Sequence, residues 1–96
     1  MSIEVDSFDF TASFKSELQA AGPDVQQAAR DALKLLKANP RAKTLRLHSL
    51  SGYCKPTIYK IDVYANHSWQ ITFELAGKTA VLRRLATHKD INRRPR

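Results

Sequence analysis

His48, His67 and His88 can exchange protons near neutral pH, and all three lie in the strongly basic part of this chain. Residues 1–40 hold four Lys/Arg against six Asp/Glu, a net of −2. Residues 41–96 hold twelve against three, a net of +9. A cationic surface attracts phosphate, and imidazole beside guanidinium supplies what metal-free RNA cleavage needs. A base takes the proton of the 2′-hydroxyl, which attacks its own phosphate. An acid protonates the departing 5′-oxygen, and cations stabilise the extra phosphate charge. Arg84 or Arg83 suits the third role, because guanidinium contacts phosphate oxygens in pairs. Three histidines in 96 residues is an ordinary number, so the inventory alone decides little. A lone histidine is more often a surface or hydrogen-bonding residue than a catalyst. Trp69 suits a core better than base stacking. The histidines are widely spaced with no clustered carboxylate, so neither a metal site nor a cofactor is expected.

The elements that must position these residues follow from periodicity. Ile3 to Phe10 alternates in part and predicts a first strand, with an irregularity at Ser7. Thr11 or Ser13 can cap a helix that places Phe14, Leu18 and Ala21 on one face. Gly22-Pro23 breaks that helix and starts another. There Val25, Ala28, Ala29, Ala32, Leu33 and Leu36 form an apolar stripe, and Asn39-Pro40 ends it. An antiparallel helical hairpin is the simplest arrangement. From Leu45 the period becomes 2. Tyr59, Ile61 and Val63 alternate with Lys60 and Asp62, and Trp69, Ile71, Phe73 and Leu75 alternate with Gln70, Thr72 and Glu74. Ala76-Gly77-Lys78 is a hairpin turn, and Thr79 to Thr87 returns as a strand.

The connections are too short for parallel crossovers, so the expected fold is α+β: an N-terminal strand and a two-helix hairpin on one face of a small antiparallel sheet. The other face, bearing Lys60, Asp62, Gln70 and Thr72, is expected to be open, with Arg84 and Ala86 on it and His88 in step. His48 and His67 fall beside loops, where active groups often sit. Arg93-Arg94-Pro95-Arg96 reads as a frayed basic tail able to touch phosphate.

Ninety-six residues make a single domain spanning 1–96, and a net charge of +7 favours a polyanionic partner. Cys54 is the only cysteine, which excludes an internal disulfide, suits a reducing compartment and makes a weak nucleophile candidate. The N-terminus has no signal-peptide pattern, and no apolar run approaches the ~20 residues that cross a bilayer. A cytoplasmic protein without a membrane partner is expected.

The order of elements resembles the RelE/ParE superfamily of bacterial toxin–antitoxin toxins. So do the segments Phe10-Thr-Ala-Ser-Phe14, Leu35-Leu36-Lys-Ala-Asn39-Pro40, Leu47-His48-Ser-Leu50-Ser-Gly52, Tyr59-Lys60-Ile61, Trp69-Gln70-Ile71-Thr72-Phe73 and Leu82-Arg83-Arg84-Leu85-Ala86-Thr87-His88. The resemblance covers nearly the whole chain and rests on the order and spacing of these segments. It implies an endoribonuclease that cuts mRNA, usually on the ribosome, and a cognate antitoxin wrapped around it. Lys60 matches the strand that supplies a catalytic or phosphate-binding lysine in RelE. His88 falls where RelE uses an arginine and YafQ-like toxins a histidine. His48 matches a histidine of YafQ-like and HigB-like toxins. Gln70 and Asp62 depart from the family, standing where RelE has an arginine and a second lysine.

The expected catalytic set is therefore His88, with His48 or His67 as its complement, and Arg84 on the phosphate. Lys60, Arg83, Arg46, Lys55, Gln70, Arg93 and Arg94 are expected to bind RNA. Loss of cations at Asp62 and Gln70 motivates an alternative without catalysis: a ParE-like inhibitor of DNA gyrase, or an inactive protein of the same fold.

Overall fold

In the computed structural model, which describes residues 3–54, 56–64 and 68–95, the chain forms one five-stranded sheet of order β1-β5-β4-β3-β2. Strand β1 (Ser7–Phe10) leads into helices α1 (Ala12–Ala20) and α2 (Pro23–Ala38) and a 3₁₀ turn at Lys43–Leu45. Strands β2 (His48–Cys54), β3 (Thr57–Asp62), β4 (Trp69–Ala76) and β5 (Thr79–Thr87) follow, and helix α3 (His88–Arg93) ends the fold. Lys55 and His67, both expected in the site, lie outside the described residues.

The helices form for local reasons. Thr11 caps α1 by accepting from the Phe14 N–H (3.2 Å), and its hydroxyl donates to the Leu82 carbonyl (2.7 Å), tying the helix start to β5. Pro23 occupies the first turn of α2. Gln26 donates to the carbonyls of Leu18 (2.9 Å) and Ala21 (3.1 Å), satisfying acceptors at the end of α1 and holding the hairpin. The hairpin buries Phe14, Ala29, Ala32, Leu33 and Leu36 against Ile61, Ile71, Phe73, Ala80, Leu82 and Leu85 of the sheet.

Three expectations need correction. The sheet is mixed: β2 to β5 form the antiparallel meander, but β1 pairs parallel with β5, Ser7 opposite Thr79 and Phe10 opposite Leu82. The helical hairpin lies between β1 and β2, so this one connection is long enough to carry the chain across the sheet. Strand β1 also starts at Ser7 rather than Ile3.

The second correction concerns the face away from the helices, which is not open. Lys60, Asp62, Gln70 and Thr72 are all buried there, together with Ile58 and Ala86. The cover is the C-terminal segment, which is the third correction. Instead of fraying, it forms α3, buries Ile91 and Pro95, and receives hydrogen bonds at the Pro95 carbonyl from Thr72 and at the Arg94 carbonyl from Arg84 (2.6 Å).

Candidate active site: a polar cleft on the sheet

Cross-strand pairing assembles the site. His48 stands opposite Lys60, Lys60 opposite Thr72, and Thr72 opposite Arg84; beside this row Asp62 faces Gln70 and Gln70 faces Ala86. Directly paired residues on one face hold their Cβ atoms about 4.5–5.5 Å apart, so the row is a contiguous polar strip. A bulge in β5 makes this possible. Pairing passes from Thr72↔Arg84 to Phe73↔Leu82, leaving Arg83 as the extra residue. Ala80 and Leu82 point to the core before it, and Arg84 and Ala86 share the face of Gln70 and Thr72 after it.

Arg46, His48, Lys60, Asp62, Ser68, Gln70 and His88 line a cleft of about 460 Å³ at the end of this strip. His48 is the first residue of β2, beside the loop that leads into it. Its Nδ1 lies 2.7 Å from the Arg46 carbonyl oxygen. A carbonyl only accepts, so Nδ1 carries the proton in neutral His48 and Nε2 is left as the basic atom. Arg46 is the only described non-glycine residue with positive φ (+49°), and its guanidinium lies 3.7 Å from the buried Asp62 carboxylate. Such a conformation costs about 1 kcal/mol or more and concentrates at functional sites.

His88 opens α3, and its backbone N–H donates to the Ser68 carbonyl (3.0 Å). Its Nδ1 lies 3.2 Å from Gln70 Oε1 and its Nε2 3.1 Å from Asn92 Nδ2. Gln70 Nε2 donates to Asp62 Oδ1 at 2.9 Å. Lys60 is 7 % exposed, and among the described residues its ammonium has no hydrogen-bond or ion-pair partner. No buried side-chain nitrogen among the described residues lacks a partner, so the ammonium itself reaches the solvent of the cleft, where it can meet an anion. A second groove, lined in part by Arg41, Lys43 and Tyr59, adjoins the cleft and shares Arg46 and His48 with it.

The other expected residues sit elsewhere. Arg84 does not line the cleft; it makes two bonds to Glu17, Nη2–Oε2 at 2.7 Å and Nε–Oε1 at 3.3 Å. Hydrogen bonding to Glu17 raises its already high pKa, against the opposing effect of burial. Arg83 pairs with Glu74 (3.2 Å), while Arg93 and Arg94 are exposed on the C-terminal segment. Asp62, Ser68 and Asn92 belong to the cleft or touch His88, yet sequence reasoning missed them as site residues. The available signal for Asn92 was its i, i+4 spacing from His88 on a helix.

The architecture is the fold of the RelE/ParE toxins. Among solved structures, the chain is similar to Escherichia coli YafQ in the DinJ–YafQ toxin–antitoxin complex, with 18% identity, a TM-score of 0.71, and coverage of 93% of this chain and 98% of that one. It is similar to the Methanococcus jannaschii RelB–RelE antitoxin–toxin complex, at 22% identity and TM-score 0.62 over 88% and 95% of the two chains. A YoeB/ParE toxin from Agrobacterium tumefaciens matches at 13% identity and TM-score 0.68 over 86% and 99%. No protein-family model and no curated protein sequence matches the chain.

Proposed function

We propose that the protein is the toxin of a toxin–antitoxin pair and acts as a metal-independent endoribonuclease on mRNA, engaged at the ribosome. The observation that carries this reading is the convergence of His48, His88, Lys60 and Arg46 on one cleft. One imidazole takes the 2′-hydroxyl proton. The O2′–P bond forms as the P–O5′ bond breaks, and the other imidazole, protonated, supplies the proton to O5′. Lys60 and Arg46 stabilise the charge gathered on the phosphate oxygens. The products are a 2′,3′-cyclic phosphate and a 5′-hydroxyl. Arg41 and Lys43 extend the cationic path for flanking phosphates.

Arg84 has a structural part in this account, holding α1 and the C-terminal segment to the sheet. An acidic antitoxin would neutralise the basic half by charge complementarity, as befits a fold whose solved neighbours include toxin–antitoxin complexes. No helix among the described residues is long and apolar enough to cross a membrane, and the proposed site of action is the cytoplasm.

Controlled expression tests the reading. Wild-type protein should deplete full-length transcripts before replication slows. His88→Ala, at an exposed helix start, should stay folded and lose about 10²–10⁴-fold in cleavage rate. Undiminished cleavage by the variant would exclude His88 as a catalytic residue. Stalled replication with intact transcripts would favour the gyrase alternative.

A further inference from the structure

The two family departures, Asp62 and Gln70, are direct cross-strand partners, and they lie in one chain of hydrogen bonds that ends on His88. From this juxtaposition, and resting on the ribonuclease reading above, we infer that Asp62 and Gln70 are positioning residues that hold His88 in its Nδ1–H form and so make Nε2 its reacting nitrogen.

The argument runs from donor and acceptor chemistry. Asp62 is 4 % exposed and Gln70 is 2 % exposed, so neither can exchange its partner freely for water. An ionised carboxylate only accepts. Gln70 must therefore turn its NH₂ toward Asp62 Oδ1 (2.9 Å), and its carbonyl oxygen is what remains for His88 (3.2 Å). That oxygen also only accepts, so Nδ1 must donate. The choice of amide orientation and the choice of tautomer are thus both fixed by one buried carboxylate. Arg46 Nε lies 3.7 Å from the second Asp62 oxygen, so the carboxylate has a cation on one oxygen and the Gln70 amide on the other.

Histidine free in water favours the opposite tautomer, with the proton on Nε2. Without the relay, Nε2 of neutral His88 would carry a hydrogen in place of a free lone pair. Asn92 donates to Nε2 from an exposed position one helical turn away (3.1 Å), a place that a substrate oxygen can take over. His48 receives the same tautomer by a different device, the Arg46 carbonyl. The loss of cationic residues at Asp62 and Gln70 then becomes the installation of a histidine-orienting pair.

Nitrogen-15 spectra of the full-length protein, recorded without RNA, read the tautomer directly. Wild-type His88 should show the Nδ1–H pattern when neutral. Gln70→Leu should lose it and reduce kcat about 10–100-fold with KM changed less than about threefold. Asp62→Asn can donate as well as accept, so it should release the Gln70 amide and mix the tautomers. Gln70→Glu, sharing one proton with Asp62, should keep an acceptor toward Nδ1 and restore the Nδ1–H pattern. An Nε2–H pattern in the wild type, or wild-type kcat in a folded Gln70→Leu protein, would overturn the inference. Absence of cleavage by wild-type protein whose His88 shows the Nδ1–H pattern would remove the nuclease reading and support the positioning assignment.

Discussion

Replacing Glu17 with alanine should destabilise the protein without altering the chemistry of the cleft. Glu17 accepts from Arg84 at 2.7 and 3.3 Å and from the Leu85 backbone N–H at 3.2 Å. The Leu85 N–H lies beyond the end of β1, which pairs β5 only as far as Leu82, so a side chain completes the strand edge there. The Arg84 and Glu17 side chains are 21 % and 26 % exposed. Hydrogen bonds to charged groups contribute about 1.5–3 kcal/mol, whereas fully exposed ion pairs contribute about 0.2–1 kcal/mol. Partial burial puts the bidentate pair between these limits, roughly 1–2 kcal/mol. Leaving the Leu85 N–H without its acceptor adds about 1 kcal/mol, giving a loss of about 2–3 kcal/mol. For a domain of this size that lowers the Tm by roughly 10–20 °C.

Urea unfolding, followed by the fluorescence of Trp69, measures the loss. A double-mutant cycle with Arg84→Ala isolates the pair and should return a coupling of about 1–2 kcal/mol. Cleavage per folded molecule should stay at the wild-type rate in Glu17→Ala. A loss under about 0.5 kcal/mol with no coupling would refute the structural role of the pair and leave Arg84 available for phosphate.

Other perturbations separate the core, the cleft and its cover. Phe14→Ala, at a fully buried position, should cost about 3–5 kcal/mol and appear as a large fall in the urea midpoint. Lys60→Met should reduce the salt dependence of binding to single-stranded RNA by a slope of about 0.7, the contribution of one phosphate contact, with no loss of Tm; an unchanged slope would remove Lys60 from the phosphate site. Thr72→Val deprives the Pro95 carbonyl of its donor and should cost about 1–3 kcal/mol, seen as faster trimming of the C-terminal segment by carboxypeptidase. Cleavage should persist when transition metals are chelated and the Mg²⁺ that holds the ribosome together is kept, because the proposed proton transfers need no metal.

The parts of this fold legible in the sequence are those governed by local periodicity. The stripe from Val25 to Leu36 announces α2, Gly22-Pro23 separates the helices, and Gly77, at a φ of +63°, sits in the turn that joins β4 to β5. Lys60, Gln70 and Arg84 could be placed on one face by alternation. What escaped depends on distant contacts. Nothing in Ser7–Phe10 specifies that its partner is β5 or that the pairing is parallel. Helix α3 spans six residues and contributes a single buried apolar side chain, Ile91, too few to show a period. Asp62 reads as a solvated charge until register places it against Gln70 and α3 brings His88 to the same amide. Where an open face was expected, Lys60, Asp62 and Gln70 are buried at the floor of the cleft, while Arg46, His48 and His88 stay exposed around it.

The most direct test of the central claim is the chemistry of the RNA ends made when the purified protein is added to a reconstituted translation reaction. Mapping the fragments should reveal 5′-hydroxyl and 2′,3′-cyclic phosphate termini that disappear with His88→Ala. Intact mRNA with translation continuing, or fragments ending in 5′-phosphate and 3′-hydroxyl, would contradict it.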